Sequence, residues 1–252
     1  MDLGLTGRTA LVTGASSGLG LASARSLAAE GVAVVMASRS ADALDAAVAS
    51  VADDATGARP TAIPADLAEP SSIAALVDAA VAEVGPLDIV IANAGGPPAG
   101  GFADTSLDAY GPALQLNLLA SIDLCQRTIP AMRERGWGRV VAITSMTVRQ
   151  PSPTLILSNT ARTGLTSFLK TTALEVAADG VTVNSVLPGL HATPRLEHLG
   201  ATPEQLAASV PMPEIGRAAD FGDVVAFVCS DQARYITGAT IPVDGGQVVG
   251  LP

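Results

Sequence analysis

The chain has 252 residues, of which 48% are hydrophobic and only 3% aromatic, and its formal net charge is −10. Binding to a nucleic-acid backbone requires clustered lysine and arginine, so this acidic balance argues against a nucleic-acid partner. No apolar run reaches the roughly 18 residues that a membrane span requires. The short stretch before the first apolar strand leaves no room for a signal peptide. We therefore expect a cytoplasmic protein that does not enter a membrane.

The cysteines and histidines are too few and too scattered for a metal site. Cys125 and Cys229 lie in apolar helical patterns, which indicates reduced core residues rather than a disulfide. The two histidines and these cysteines show no spacing typical of metal ligands. We expect no metal.

Short strand-like runs alternate with alanine-rich helical runs along the chain. The predicted strands are 8–13, 32–38, 61–65, 87–93, 139–145, 181–187 and 239–243. The predicted helices are 18–29, 41–52, 71–84, 106–135, 158–178 and 220–230. This alternation is typical of right-handed βαβ crossovers, which build a parallel sheet covered by helices on both faces. We therefore predict an α/β fold of the Rossmann type, with a doubly wound seven-stranded parallel sheet in a single domain over 1–252.

Three loops that follow predicted strands contain proline, at 95–101, 149–153 and 190–217, and the first is also rich in glycine. In doubly wound sheets, ligands bind beyond the carboxyl ends of the strands. We therefore expect these loops to surround a ligand site, and segment 190–217 to act as a mobile substrate lid.

The stretch TGASSGLG (13–20) joins the first predicted strand to the first predicted helix. Its glycines allow a sharp turn and let a pyrophosphate approach bare backbone, while the helix start offers unpaired N–H groups and a positive dipole end. No lysine followed by serine or threonine comes after it, so it is not a triphosphate-binding loop. A plain tight turn is the alternative interpretation of such a pattern. The predicted contacts with a dinucleotide come from Gly14, Ser16, Ser17, Gly18, Leu19 and Gly20.

The second predicted strand ends in Ser38 and Arg39, where an NAD site would carry an acidic residue for the ribose 2′-hydroxyl. A guanidinium at this place suits a 2′-phosphate instead. The alternative is a solvent-exposed arginine at a strand end. The pattern favours NADP(H).

Further landmarks follow in order: Asp66-Leu67, NAG (93–95), Asn117, Ser145, VNSVLPG (183–189) and YITGATIPVDGG (235–246). With the glycine loop, they make the chain resemble the short-chain dehydrogenase/reductase family over essentially its whole length. It is most similar to the branch that resembles β-ketoacyl-carrier-protein reductases, part of which shares NAGGPP and a Ser-Asn-x-x-Arg motif.

The resemblance implies roles for the matching positions. Asp66 and Leu67 would lie beside the adenine, and Asn93, Ala94 and Gly95 along the cofactor. Asn117 would hold a water in a proton relay, and Ser145 would hydrogen-bond the substrate carbonyl. The positions implied at the nicotinamide carboxamide are Pro188, Gly189 and Thr193.

The family's acid/base pair, a tyrosine followed four residues later by lysine, is absent from this chain. The match to ALEVA (173–177) places Ser158 at the tyrosine position and Arg162 at the lysine position. The only tyrosines, Tyr110 and Tyr235, fall where the family has structural aromatics. Arg162 would keep the lysine's contact with the nicotinamide ribose, whereas a serine hydroxyl is far too weak an acid to replace the phenol.

Reduction is still chemically feasible, because hydride transfer depends mainly on proximity and orientation. General acid catalysis contributes about 10²–10⁴-fold. His191 is the only histidine in a loop expected near the nicotinamide, and its ordinary pKa suits an acid. The alternative is that His191 is merely an exposed loop histidine.

The sequence leaves three functions open. The first is an NADP(H)-dependent carbonyl reductase or alcohol dehydrogenase, acting on a small molecule with catalytic residues Asn117, Ser145, Ser158, Arg162 and His191. The second is a non-redox enzyme on the same fold, such as a halohydrin dehalogenase, but those enzymes lack the glycine loop and keep the tyrosine. The third is a catalytically silent NADP(H)-binding protein. The resemblance also implies a homotetramer or homodimer, built on the helices 106–135 and 158–178.

Overall fold

A seven-stranded parallel sheet lies at the centre of the computed structural model, which describes residues 1–197 and 202–250. Its strands lie in the order β3-β2-β1-β4-β5-β6-β9, and each neighbouring pair is parallel. The predicted doubly wound sheet in a single domain is confirmed. The strands of this sheet are β1 (Thr9–Thr13), β2 (Ala33–Ser38), β3 (Thr61–Pro64), β4 (Ile89–Ala92), β5 (Gly138–Ile143), β6 (Val181–Pro188) and β9 (Thr240–Val243).

Helices cover both faces of the sheet. They are α1 (Gly18–Ala29), α2 (Ala41–Ala52), α3 (Pro70–Val84), α4 (Tyr110–Leu114), α5 (Ala120–Arg135), α6 (Ile156–Val176), α7 (Pro194–Glu197), α8 (Pro203–Ala207) and α9 (Ala218–Cys229). One hydrophobic cluster packs α1, α2 and α9 on one face, and a second packs α3, α5 and α6 on the other. Both faces of β4 and β5 are buried, which explains why β4 and the segment 140–143 of β5 are continuously apolar rather than alternating.

The largest difference from the sequence prediction is the helix expected over 106–135. A 3₁₀ turn at Leu107–Ala109 precedes α4, and a π-helical turn at Gln115–Leu119 separates α4 from α5. Periodicity of apolar residues does not reveal such a turn, because a single turn is too short to show a period of its own. The expected lid, 190–217, holds α7, α8 and a small two-stranded sheet of β7 (His191–Ala192) and β8 (Gly216–Arg217), while 198–201 fall outside the described residues.

Both cysteines lie in the interior of the protein. Cys125 and Cys229 are free and buried, as predicted, and burial raises the pKa of each thiol to about 12. Within the described part of the chain, no helix is long and apolar enough to cross a membrane.

Two predicted loops meet at the carboxyl edge of the sheet. The N–H of Gly100 donates to the carbonyl of Thr154 at 2.8 Å, and the N–H of Ile156 donates to the carbonyl of Gly100 at 3.1 Å. The loop after β4 is thereby joined to the start of α6. This pairing brings the glycine- and proline-rich segment 95–101 over the ends of β4 and β5.

Candidate active site

The loop between β1 and α1 has the backbone that a phosphate cradle requires. Gly14 and Gly18 adopt φ of 58° and 57°, a left-handed conformation that favours glycine. Ser17 precedes α1 without bonding its side chain to the helix, and the first turn contains no acidic residue. The first N–H groups of α1 therefore remain available to an anion, and the helix dipole favours it.

Gly20 lets the first turn of α1 pack against the rest of the cradle. A Cβ at this position would collide with the carbonyl oxygen of Gly14 and lie 2.7 Å from the side-chain nitrogen of Asn93. That nitrogen donates to the Gly14 carbonyl at 3.2 Å, and the backbone N–H of Asn93 donates to the Thr13 hydroxyl at 2.9 Å. Asn93, at the end of β4, thus holds the glycine loop in place.

The end of β2 presents an exposed guanidinium beside a capped helix. Ser40 caps α2 by accepting the N–H of Ala43 at 3.3 Å, whereas Arg39 is exposed and, among the described residues, has no salt bridge. After the neighbouring strand β3, the carboxylate of Asp66 accepts the N–H of Ala68 at 3.0 Å.

Leu67, which follows Asp66, is buried. Ser38 is half-buried, and its hydroxyl lies 3.5 Å from the Ser40 carbonyl oxygen. The structure thus brings the predicted residues Ser38, Arg39, Asp66 and Leu67 together where the paired strands β2 and β3 end.

Ser145 follows β5 and is held by hydrogen bonds that it accepts. Its hydroxyl oxygen accepts the backbone N–H of Thr147 at 3.1 Å and the Thr147 hydroxyl at 3.0 Å. Because both bonds use the oxygen as an acceptor, the Ser145 hydrogen remains available to a ligand. Two accepted bonds also polarise the O–H group, which makes it a stronger donor. The arrangement suits a hydroxyl that donates to a carbonyl oxygen.

Arg162 is buried where β4 and β5 end. Its guanidinium donates to the carbonyl oxygens of Ile143 and Thr144 at 2.9 and 2.5 Å, and to that of Ala94 at 3.3 Å. Burial, with a smaller contribution from the charge of Arg195, lowers the pKa of Arg162 to about 10. The side chain therefore remains cationic at neutral pH. It ties the segment before Ser145 to the loop after β4, a role that the sequence did not predict.

Asn117 lies in the π-helical turn between α4 and α5. It is buried, and neither polar atom of its amide has a hydrogen-bond partner within 1–197 and 202–250. An orphaned buried amide is costly, so its bonds are expected to go to solvent or to a bound molecule. Single π-helical turns are frequent at functional sites, and Asn117 lies in such a turn.

The segment after β6 crosses the glycine loop. The N–H of Gly189 donates to the carbonyl of Val243 at 3.0 Å, which fixes the turn after Pro188. The methyl carbon of Thr193 lies 3.5 Å from the position that a Cβ on Gly18 would occupy. The predicted residues Pro188, Gly189 and Thr193 thus begin a segment that lies against the phosphate cradle.

Comparison with known proteins adds the decisive observation. Residues 14–247 match the sequence model of a family described as enoyl-(acyl carrier protein) reductase. The chain is also 34% identical to dehydrogenase/reductase SDR family member 4 from Bos taurus, over 97% of this chain and 88% of that protein. The chain belongs to the short-chain dehydrogenase/reductase family. It is an oxidoreductase of that family by this membership.

Other short-chain dehydrogenase/reductases resemble the chain equally broadly. The 3-oxoacyl-[acyl-carrier-protein] reductase of Synechocystis is 34% identical over 97% of this chain and 98% of that protein. The crystal structure of L-sorbose reductase from Gluconobacter frateurii, described as complexed with NADPH and L-sorbose, superposes with a TM-score of 0.92. It is 29% identical and covers 100% of both chains.

Ser158 occupies the first turn of α6 and is buried. Of the two tyrosines, Tyr235 is 99% exposed and lines a cavity with Trp137 and Arg139, near the start of β5. That end of the sheet is opposite to Ser145. Tyr110 begins α4, and no hydrogen bond within the described residues links it to Ser145 or Arg162.

The proposal that His191 is a proton donor receives no support from its placement. The imidazole is 5% exposed and packs edge-on against Phe221, with ring centroids 5.1 Å apart. Its Nε2 would lie 2.7 Å from a Cβ on Gly216, so the ring packs against β8. Burial lowers its pKa, which favours the neutral ring. His191 is a core residue that anchors the small sheet.

This burial predicts a pH effect on stability. Because the pKa of His191 is lowered in the folded protein, the unfolded chain takes up the proton at a higher pH than the folded chain does. The free energy of unfolding should therefore fall as the pH drops below about 6.5. His191→Gln should show a shallower fall between pH 7 and 5 in urea titrations. Equal slopes for the two proteins would contradict this assignment.

Two contributors escaped the sequence-based prediction. Thr147 follows β5 as the last of three closely spaced hydroxyl residues, after Thr144 and Ser145, which is a common pattern with no special meaning. Arg195 lies in the expected lid, and its guanidinium lies against Gly96, whose Cβ would be 2.8 Å from Cζ. A contact between positions so far apart in sequence has no local signature.

Proposed function

We propose that this short-chain dehydrogenase/reductase transfers a hydride between NADP(H) and a small carbonyl or alcohol compound, without a catalytic tyrosine. The observation that carries the proposal is the Ser145 hydroxyl, which accepts two hydrogen bonds and keeps its own hydrogen for a carbonyl oxygen. It follows β5, whose end neighbours the glycine-rich cradle through β4 and Asn93. A cofactor cradle and a carbonyl donor at one edge are the parts that such a reaction needs.

The residues present fit the cofactor. The left-handed Gly14 and Gly18, the uncapped start of α1 and the bare Gly20 would hold the pyrophosphate. Arg39 would contact the 2′-phosphate, and Asp66 with Leu67 the adenine. When bound, the nicotinamide would supply or accept the hydride. L-sorbose reductase, described as complexed with NADPH, shares this fold over its whole length.

The chain's own groups would then position the substrate and its proton. Ser145 would donate to the carbonyl oxygen and stabilise the negative charge that develops there, while Thr147 holds Ser145 in the donating orientation. Arg162, cationic at neutral pH, would add positive charge near that oxygen and contact the nicotinamide ribose. Asn117 would hold a water through its unpaired amide, and that water would deliver the proton.

The remaining parts of the proposal concern the lid and the assembly. We infer that 190–217 closes over the substrate, since Thr193 already lies against the glycine loop. We also infer a homotetramer or homodimer. Leu119 and Leu174, on the helices expected to pair, are 47% and 74% exposed, which supports this inference.

Arg39 is predicted to select the cofactor. Arg39→Asp should weaken NADPH binding and strengthen NADH binding, because an aspartate repels a 2′-phosphate and accepts bonds from a 2′-hydroxyl. Loss of one charge-assisted contact corresponds to about 10- to 100-fold in the dissociation constant. Fluorescence titration of each cofactor into both proteins measures the effect. A wild-type preference for NADH would contradict the assignment.

The function itself is tested by NADPH oxidation with a panel of ketones, aldehydes and oxo acids. Turnover of any of them that is lost on Ser145→Ala supports the proposal. The absence of a tyrosine favours one alternative, a silent NADP(H)-binding protein. Tight NADPH binding without turnover of any carbonyl or alcohol would establish that alternative.

A further inference from the structure

Two arginines meet at the edge of the sheet beside Ser145. Arg195, in α7, rests its guanidinium on Gly96, where a Cβ would lie 2.5 Å from Nη2. Arg162 reaches the same loop from the other side and donates to the carbonyl of Ala94. The lid arginine and the buried arginine thus contact the segment 94–96 together.

The charges of these two guanidiniums act on each other. After burial, which is the larger cause, the charge of Arg195 also lowers the pKa of Arg162. Arg162 is buried, whereas Arg195 remains exposed to solvent. Two cations so placed repel each other, which is unfavourable unless an anion lies between them.

The protein does not lack acidic groups that could neutralise this pair. It has 24 aspartates and glutamates against 14 lysines and arginines. Arg25, Arg133 and Arg217 all lie within 4.0 Å of a carboxylate. Among the side chains that the structure describes, no carboxylate forms a salt bridge with Arg162 or Arg195. The positive charge at 94–96 is therefore a local feature in a protein of net charge −10.

The position of the pair relates it to the reacting carbonyl. Arg162 donates to the carbonyl of Thr144, which directly precedes Ser145. An anion between the arginines would therefore lie close to a carbonyl held by the Ser145 hydroxyl. The cradle for the cofactor's pyrophosphate lies at Gly14–Gly20, on the other side of Asn93, and has its own helix N-terminus for that anion.

We propose that Arg195 and Arg162 bind a carboxylate of the substrate, and that the substrate is a short oxo acid whose carboxylate neighbours the reacting carbonyl. Arg195 is the specificity-determining residue, because its planar fork can take a carboxylate with two parallel hydrogen bonds. Arg162, already bonded to three backbone carbonyls, supplies charge. This inference rests on the proposed reductase function.

The proposal also accounts for a site without a tyrosine. A carboxylate next to a carbonyl withdraws electron density from it, and two cations strengthen that effect in a partly buried site. The carbonyl then accepts a hydride with less help from a strong acid. In the reduction, the carbonyl carbon gains a hydride from NADPH and the oxygen gains one proton from water, which gives a hydroxy acid and NADP⁺.

The test compares an oxo acid with its uncharged ester. Wild-type protein, Arg195→Gln and the control Arg25→Gln are assayed with 2-oxobutanoate and methyl 2-oxobutanoate. Arg25 lies in the interior of α1 and pairs with Asp54 at 3.4 Å, so the control removes an arginine outside the site. For Arg195→Gln, kcat/KM for the acid should fall about 10- to 100-fold, and much less for the ester. Arg25→Gln should behave like wild type.

A second measurement does not depend on turnover. Oxamate, a carboxylate that resembles a 2-oxo acid, is titrated into the NADPH complex and followed by nucleotide fluorescence. Wild type and Arg25→Gln should bind oxamate, and Arg195→Gln should bind it about 10- to 100-fold more weakly, with an unchanged dissociation constant for NADPH. Equal losses for acid and ester, no oxamate binding by wild type, or a matching loss of NADPH affinity would overturn the inference.

The two proposals fail separately. If neutral ketones are reduced but Arg195→Gln does not discriminate acid from ester, the reductase proposal stands and the carboxylate site does not. If no carbonyl is reduced but oxamate binds in an Arg195-dependent way, the anion site stands and the reductase proposal does not.

Discussion

Gly20→Ala is expected to weaken NADPH binding about 100-fold, although it adds only one methyl group. The new Cβ would collide with the Gly14 carbonyl oxygen and crowd the Asn93 amide. The carbonyl of Gly14 and the amide of Asn93 cannot shift independently of the loop, because the Asn93 side chain donates to that carbonyl and the Asn93 backbone N–H donates to the Thr13 hydroxyl. A displaced loop would lose charge-assisted hydrogen bonds to the pyrophosphate, each contributing about 1.5–3 kcal/mol.

The same collision should lower the stability of the apoprotein. Overpacking of a tight site costs about 1–3 kcal/mol, which thermal unfolding would register as a lower Tm. Gly111→Ala is the matched control, because Gly111 is also helical but has nothing within 4 Å of its would-be Cβ. That variant should bind NADPH normally and be no less stable than wild type. Similar results for both variants would show that Gly20 is only a helix residue.

The fold was predictable because each element carries its own local pattern. The buried strand β4 and the segment 140–143 of β5 are continuous apolar runs, and TGASSGLG marks the junction of β1 and α1 in consecutive residues. Apart from the helix expected over 106–135, the observed ends of the predicted strands and helices differ from the predicted ends by up to two residues. Such ends depend on caps and final hydrogen bonds rather than on the apolar period.

The candidate site was less predictable because its details arise from contacts between distant segments. His191 looked like a loop residue, yet Phe221, thirty positions further along the chain, buries its ring. The sequence places Arg162 one turn after Ser158, but not against the carbonyls of Ile143 and Ala94. The distance in sequence from Gly96 to Arg195 likewise hides their contact.

Ser145→Ala should lower carbonyl reduction about 10²–10³-fold, whereas Ser158→Ala should retain most of the activity. Ser145 is the only one of the two whose oxygen is fixed by accepted hydrogen bonds, from the N–H and hydroxyl of Thr147. Removing it would eliminate the hydroxyl that we propose donates to the carbonyl oxygen. Ser158 lies buried in the first turn of α6, and its hydroxyl is a weak acid on a short side chain.

The two variants remove the same atom from the same residue type, so each controls for the other. Steady-state NADPH oxidation gives kcat/KM, and NADPH titration shows whether cofactor binding is intact. Protonation from water held by Asn117, rather than from Ser158, should leave Ser158→Ala with an unaltered pH profile. If Ser158→Ala loses as much activity as Ser145→Ala while still binding NADPH, then serine replaces the missing tyrosine as the acid, and the water pathway through Asn117 is wrong.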